Sequence, residues 1–150
     1  MSTPLAYHIT WTTYGTWLSG DERGWVKGGE PGVRDADPVI EAAMRARMSD
    51  DPVVLTDEQR ELVETTIRKH AAVRGWHIHT LNVRTNHVHV VVTADRHPDE
   101  VMEQFKAWCS RRLSEQLGRK RKWWTEHGST KWINDEAYLD NAIRYVDEGQ

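Results

Sequence analysis

Alternation of polar and apolar side chains predicts the strands of this chain. The segment from Tyr7 to Thr13 alternates and is rich in β-branched and aromatic residues, which is the pattern of a half-buried strand. Further strands are predicted from Trp76 to Val83 and from His87 to Thr93, joined by a tight turn at 84–86. A short extended piece around Lys131 to Ile133 follows later in the chain.

Apolar residues at helical spacing predict the helices between these strands. The best-marked helix begins after Thr56, because Gln59 at the third helical position completes a capping box. Gly75 and Gly118 end two of the predicted helices. Pro98 is at the first position of the second of these, where its missing N–H leaves no helix hydrogen bond unmade. The predicted helices cover 39–48, Thr56 to Gly75, Pro98 to Gly118, and a final segment capped by Asn134 or Asp135.

The order of the elements is strand, helix, strand, strand, helix, short strand, helix. The first six match the split βαβ pattern of ferredoxin-like folds. We therefore predict an α+β fold, a ferredoxin-like sandwich with an antiparallel sheet, helices on one face and a further helix at the C-terminal end. The other face is left for a site. The 150 residues suit a single domain spanning 1–150, with a long loop at about 15–38 that holds six glycines and two prolines.

Composition excludes several classes of protein. Charged residues make up 29 % of the chain and hydrophobic ones 38 %, and no run of about 18 apolar residues could span a membrane. Cys109 is the only cysteine, so an intrachain disulfide is excluded. A reducing, cytoplasmic location is the expectation.

Although the net charge is −3, the stretch between Gln104 and Trp132 is basic, because it contains eight Lys and Arg residues and only two glutamates. Local basic density attracts phosphates, and aromatic rings beside cations suit the bases of an unpaired strand. A solvated surface for the charges, and core packing for the tryptophans, are the alternatives. With Arg84 at the hairpin turn, the candidate DNA-binding residues are Arg84, Lys106, Arg111, Arg112, Arg119, Lys120, Arg121, Lys122, Trp123 and Trp124.

Two His-x-His pairs lie in neighbouring strands. His87 and His89 project to one face of their strand, where imidazoles about 6.5–7 Å apart can converge on one metal ion. A two-residue hairpin loop would pair Asn82 with His89 and direct His79 to the core face. We therefore predict a metal site at His87 and His89 and a structural role for His77 and His79. The alternative for His87 and His89 is two polar residues on an open sheet face.

The residues around His87 and His89 resemble a motif of a known family. Asn86 to Val92 resembles the His-hydrophobe-His (HUH) motif of single-tyrosine transposases, the insertion-sequence 200-like and REP-associated tyrosine transposase group. Tyr7 to Trp11 resembles that family's first strand, and Ala142 to Val146 resembles its nucleophile helix. The resemblance spans nearly the whole chain, although the Gly-rich loop is less typical of the best-known members.

The resemblance implies a metal-dependent single-stranded DNA endonuclease and strand transferase, active in DNA transposition and recombination. It implies that His87, His89 and a polar residue of the last helix hold a divalent ion, Mg²⁺ or Mn²⁺. Tyr145 would attack the scissile phosphate, leaving a 5′-phosphotyrosine and a free 3′-hydroxyl that can later rejoin. The implied partner is single-stranded or hairpin DNA. The family includes monomers and dimers, and a homodimer is the expectation.

Two assignments stay open. Tyr138 lies seven residues before Tyr145 on the same helix face and competes for the role of nucleophile. The family usually places Gln or Asn four residues after the tyrosine, where this chain has Gly149. Helix geometry favours Glu148 as the third ligand, whereas chemical type favours Gln150, which we rank first. Rival interpretations are a domesticated protein that binds single-stranded or hairpin nucleic acid without cutting it, and a ferredoxin-like module for a metal or small molecule.

Overall fold

The computed structural model describes residues 4–16, 37–46 and 50–148. Most of the predicted Gly-rich loop, the end of the predicted helix at Met48, and Gln150 therefore lie outside the described residues. The elements are β1 (Ala6–Thr13), α1 (Pro38–Ala46), α2 (Asp57–Arg74), β2 (His77–Val83), β3 (His87–Thr93), α3 (Pro98–Leu117), β4 (Trp124–Ile133) and α4 (Glu136–Asp147).

The four strands form one antiparallel sheet in the order β2-β3-β1-β4. This confirms the α+β, ferredoxin-like prediction. In the centre of the sheet, Thr10 of β1 lies opposite His89 of β3, and Thr12 lies opposite His87. Among the described residues, no helix is long and apolar enough to cross a membrane.

Helices α2 and α3 pack on one face of the sheet and enclose the main core. Alternate strand residues such as Ile9, Trp11 and Val90 point into it and are fully buried. Opposite them lie Ile67 of α2 and Phe105 of α3, each 0 % exposed. Burying one such side chain contributes about 1.5–3 kcal/mol, so this layer holds the sheet against the two helices.

Helix α4 packs on the other face, which the sequence pattern left open for a site. Its Ala142 and Val146 form a second, smaller apolar cluster with Val91. Asn82 Nδ2 donates to the Val146 carbonyl at 3.0 Å, and the Thr80 hydroxyl donates to the carboxylate of Asp147. The C-terminal end of α4 is thus attached to β2.

Local signals set the helix ends as predicted. Thr56 and Gln59 form the complete capping box of α2, and Gly75 ends that helix in the left-handed conformation with φ +76°. Gly118 ends α3 in the same way, and Asp135 caps α4. These helix boundaries are therefore fixed by neighbouring residues in the sequence.

Strand β4 begins at Trp124 and is much longer than the predicted piece around Lys131 to Ile133. Its middle residues are exposed, and their side chains therefore show no apolar alternation. Pairing with β1 defines the strand instead, from Thr13 opposite Trp124 to Ala6 opposite Ile133.

The predicted hairpin register is confirmed, but the predicted direction of His79 is wrong. Asn82 lies opposite His89, and the backbone N–H of Arg84 donates to the His87 carbonyl at 2.8 Å. A bulge between Ile78 and Thr80 then adds one residue to β2 and reverses the alternation. His79 consequently avoids the core, and its Nε2 lies 2.7 Å from the Thr93 hydroxyl.

Candidate active site

His87 and His89 are adjacent on the sheet face that carries α4. Their ring centroids are 4.6 Å apart and their planes nearly perpendicular, at 89°. His89 is 6 % exposed and His87 half-buried. Burial, followed by the nearby Arg84 charge, lowers the pKa of His87 below its ordinary value. Neutral imidazole is the form that binds a metal, so this environment favours the ligand state.

Each of the two imidazoles is held through Nδ1. His89 Nδ1 lies 3.0 Å from the Thr10 hydroxyl, and His87 Nδ1 lies 2.7 Å from Asn86 Oδ1. Histidines that ligate metals almost always use their other ring nitrogen for such a bond to oxygen. The donor set of His87 and His89 therefore fits a divalent cation bound through Nε2.

Tyr145 reaches the histidines from α4. Its ring centroid lies 5.9 Å from that of His89, with the planes at 88°. The side chain is 47 % exposed, so its hydroxyl is accessible to a ligand. Of the two competing tyrosines, Tyr145 makes a ring contact with this histidine pair in the part of the chain that the structure describes, and Tyr138 does not.

His8 is a site residue that sequence reasoning missed. Its ring centroid lies 5.7 Å from His89 and 6.0 Å from Tyr145. Burial, followed by the charge of Lys131 on β4, lowers the pKa of His8. The alternation of β1 could have identified it, because His8 and Thr10 share the polar face of a strand already matched to the family.

Neither candidate for a third metal ligand is placed beside the histidine pair by the part of the chain that the structure describes. Glu148 is exposed at the end of α4, and Gln150 lies outside the described residues. Within residues 4–16, 37–46 and 50–148, no group of three or more His, Cys, Asp or Glu side chains could hold a metal ion. In the described residues, the candidate metal donors are therefore His87 and His89.

Lys106 does not fit the predicted role in DNA binding. It is 8 % exposed, and its Nζ donates to the carbonyls of Thr125 at 2.7 Å and Glu126 at 3.2 Å. Burial lowers the pKa of this lysine. The ammonium group therefore attaches α3 to the start of β4 and is not directed at a phosphate.

Trp123 and Trp124 likewise belong to the core, the alternative that the sequence left open. They are 3 % and 8 % exposed, and their indole N–H groups donate to the Ser114 hydroxyl at 2.9 Å and the Lys106 carbonyl at 3.1 Å. Buried rings present no face to a base, so the stacking role assigned to them is corrected.

The remaining basic candidates lie at or near the surface. Arg111 and Arg112 pair with Glu115 on α3, at 3.7 Å and 3.5 Å. The segment 119–122, which we call the basic loop, follows α3, and its Arg119 pairs with Asp50 at 3.4 Å. Isolated exposed pairs of this kind contribute little to stability, so these charges remain available to a ligand.

The basic loop lies at the same end of the sheet as His87. The Tyr14 N–H donates to the carbonyl of Trp123, which follows the loop, at 2.8 Å. The neighbouring Thr13 N–H donates to the Asn86 carbonyl at 2.9 Å. Exposed Arg84 belongs to the same hairpin end. A basic surface and His87 therefore lie at the same end of the sheet.

Comparison with known proteins identifies the class to which this chain belongs. The profile of the family described as IS200-like transposase matches residues 47–148, which include both the histidine pair and Tyr145. Because the match covers more than half of the chain, the protein belongs to the IS200-like transposase family. No curated protein matches the chain in sequence.

Solved structures share the fold at low sequence identity. A protein designated as a candidate transposase from Deinococcus radiodurans R1 is 15 % identical, with a TM-score of 0.56 covering 99 % of this chain and 92 % of the other. A REP-associated tyrosine transposase bound to a REP hairpin is 11 % identical, with the same TM-score of 0.56 covering 97 % and 68 %. These likenesses extend the fold assignment over nearly the whole chain.

Proposed function

We propose that this protein is a metal-dependent single-stranded DNA endonuclease and strand transferase, with Tyr145 as its nucleophile. The proximity of three rings carries the proposal. The ring centroid of Tyr145 lies 5.9 Å from that of His89, and the ring centroids of His89 and His87 are 4.6 Å apart. A phenol beside one of two paired imidazoles combines a nucleophile with donors for a metal. Membership of a transposase family supports DNA as the substrate.

His87 and His89 would hold Mg²⁺ or Mn²⁺, with Gln150 proposed ahead of Glu148 as the third ligand. The ion would polarise the scissile phosphate and offset its negative charge. The attachment of α4 to β2 through Asn82 supports a ligand from the end of that helix, because it holds the helix end close to the sheet. No nucleotide cofactor is needed, since the energy of the broken bond is retained in the protein–DNA linkage.

In the proposed reaction the Tyr145 oxygen loses its proton and forms a bond to the scissile phosphorus. The bond from phosphorus to the leaving 3′-oxygen breaks, and that oxygen takes up a proton as a free 3′-hydroxyl. The product is a 5′-phosphotyrosine. Rejoining is the reverse displacement, in which a 3′-hydroxyl attacks the phosphotyrosine and releases Tyr145.

Single-stranded or hairpin DNA is the proposed partner. Support comes from the basic loop and Arg84, which lie at the same end of the sheet as His87. The fold of a transposase bound to a REP hairpin is similar to that of this chain. We further propose that residues 1–150 form a single transposase domain that acts as a homodimer, which sedimentation analysis of the purified protein can test.

The proposed chemistry can be tested by trapping the covalent adduct. Purified protein is incubated with Mn²⁺ and a labelled pool of single strands that carry hairpins flanked by random sequence, then analysed on denaturing gels. Wild type and Tyr138→Phe should yield a labelled protein–DNA adduct, and Tyr145→Phe should not. An adduct from Tyr145→Phe that is lost in Tyr138→Phe would reverse the assignment.

A second candidate function is binding without cleavage. It is favoured by one observation: in the described residues the site offers two metal ligands, and a third is not apparent. Such a protein would bind the hairpin pool at every Mn²⁺ concentration yet give no adduct. The same gels, read beside a binding assay, distinguish it from the enzyme.

A further inference from the structure

The hydrogen bond of His87 determines which of its nitrogens carries the proton. Its Nδ1 lies 2.7 Å from Asn86 Oδ1. An amide oxygen can only accept, so Nδ1 must donate, and the lone pair of the neutral ring is then on Nε2. Asn86 is itself held in place, because its backbone carbonyl accepts from the N–H of Thr13 at 2.9 Å.

The corresponding bond of His89 is made by a hydroxyl, which can either donate or accept. Thr10 Oγ1 lies 3.0 Å from His89 Nδ1 and 3.5 Å from His8 Nε2. A hydroxyl has one proton, so the relay runs either from His89 Nδ1 through Thr10 to His8 Nε2 or in the opposite direction. A metal on His89 Nε2 requires the first direction, in which His89 Nδ1 donates to Thr10 and Thr10 donates to His8. In that arrangement the lone pair of His89 is also on Nε2.

We infer that Thr10 and Asn86 are positioning residues that fix His89 and His87 in the tautomer with the proton on Nδ1, so that both present Nε2 to one divalent cation. This inference rests on the proposed function, because it concerns the same metal site. Thr10 lies directly opposite His89 in the central pair of strands, and Asn86 precedes His87 at the hairpin. The sheet thus orients both rings before an ion binds.

The first test measures the affinity for Mn²⁺ alone by calorimetry. Thr10→Val keeps the shape and strand preference of the side chain but removes the hydroxyl, and should weaken binding about 10–100-fold. Thr10→Ser should restore most of the affinity. Thr12→Val is the matched control, because Thr12 lies two residues along the same strand and its hydroxyl contacts Thr125 Oγ1 at 2.9 Å instead of a histidine.

Asn86 provides an independent variant pair. Asn86→Asp leaves an oxygen that can accept from His87 Nδ1, so its Mn²⁺ affinity should equal or exceed that of the wild type. Asn86→Leu removes the acceptor and should weaken binding about 10–100-fold. Equal affinities for the two variants would contradict the inference for His87.

The second test reads the tautomers directly in the metal-free protein. Nitrogen-15 spectra of the histidine rings, recorded at about pH 8 where an ordinary histidine is neutral, distinguish a proton on Nδ1 from one on Nε2. The wild type should show His87 and His89 with the proton on Nδ1, and Thr10→Val should give His89 a mixture of both forms.

The outcomes separate this inference from the proposed function. Wild-type spectra with the proton on Nε2 of either ring, or a Thr10→Val protein with unchanged spectra and unchanged affinity, would overturn the inference. If the wild type binds no Mn²⁺, the proposed metal dependence fails. The ring spectra would then decide the inference about the tautomers by themselves.

Discussion

At the scale of single residues, the chain contains two His-x-His pairs that have the same ring geometry. The centroids of His77 and His79 are 4.6 Å apart at 88°, and those of His87 and His89 are 4.6 Å apart at 89°. Ring spacing therefore cannot distinguish a metal site from a polar pair. The position of Tyr145 distinguishes the two pairs, because its ring lies beside His89.

Alanine variants of the two pairs test this distinction. His87→Ala and His89→Ala should abolish Mn²⁺-dependent adduct formation, because each removes a proposed ligand. His77→Ala should retain it, since His77 lies at the start of β2, opposite Thr93 at the end of β3. The assay is the covalent adduct gel, with thermal unfolding as the control for folding. An equal loss of adduct in a folded His77→Ala protein would contradict the assignment.

The environment of His87 predicts how metal binding depends on pH. Burial and the Arg84 charge lower its pKa, so His87 should stay neutral to a lower pH than an ordinary histidine and lose the ion only as pH falls through that lowered value. Arg84→Ala removes the repulsion between charges, which should raise the pKa and shift the acid limb of the Mn²⁺ binding curve to higher pH. Arg84→Lys keeps the charge and should leave the curve near that of the wild type. A curve that does not shift in Arg84→Ala would show that burial alone sets the acid limb.

At the scale of elements, the sequence predicted those whose limits depend on neighbouring residues. Thr56 with Gln59, and Gly75 at the other end, delimit α2 through contacts made within a few residues, and the structure has the same helix. The hairpin that pairs Asn82 with His89 follows from a two-residue loop. Local chemistry was sufficient in these cases because each signal acts across one turn of the chain.

The elements that were missed depend on contacts between distant residues. The bulge that redirects His79 appears only when β2 is laid against β3. The early start of β4 is defined by its pairing with the distant β1, and the ammonium group of Lys106 on α3 binds two carbonyls at that end of the strand. The site was incomplete for a related reason. The alternation of β1 puts His8 on the polar face, but its nearness to Tyr145 requires α4 to pack over that face, which no local pattern specifies.

The burial of the paired tryptophans changes what their substitution should do. Trp124→Ala should destabilise the fold by about 3–5 kcal/mol, because it leaves a large cavity beside Trp11. Thermal or urea unfolding measures this loss. Trp132→Ala is the matched control on the same strand, since Trp132 is 45 % exposed and should cost less. Unchanged stability together with weaker DNA binding in Trp124→Ala would favour stacking on a base.

At the scale of the whole molecule, the net charge of −3 is unevenly distributed. The basic loop lies at the end of the sheet that holds His87, and Asp50 and Asp51 lie beside the loop. A backbone hydrogen bond from Lys122, followed by the Arg119 side chain, lowers the pKa of Asp50, so its negative charge persists and offsets part of the loop. The surplus of positive charge at this end is what a phosphate backbone would encounter.

Salt dependence measures whether that surplus binds DNA. Each phosphate neutralised on a single strand contributes about −0.7 to the slope of log K against log salt. Replacing the four residues of the basic loop by alanine should therefore flatten the slope by about 0.7 for each phosphate that is no longer neutralised. The effect on stability should be small, because the four side chains lie at or near the surface.

The control for this experiment removes charge from elsewhere on the molecule. Arg68→Ala with Lys69→Ala removes two exposed charges from α2, which packs on the face of the sheet opposite the histidine pair. If DNA follows the end of the sheet near His87, the slope of this control should match that of the wild type, while affinity for the hairpin pool falls only in the loop variant. Equal slopes for the loop variant and the wild type would mean that the basic loop is a solvated surface. The DNA path would then have to be sought among the other exposed cations, beginning with Arg84 and Lys131 beside the histidines.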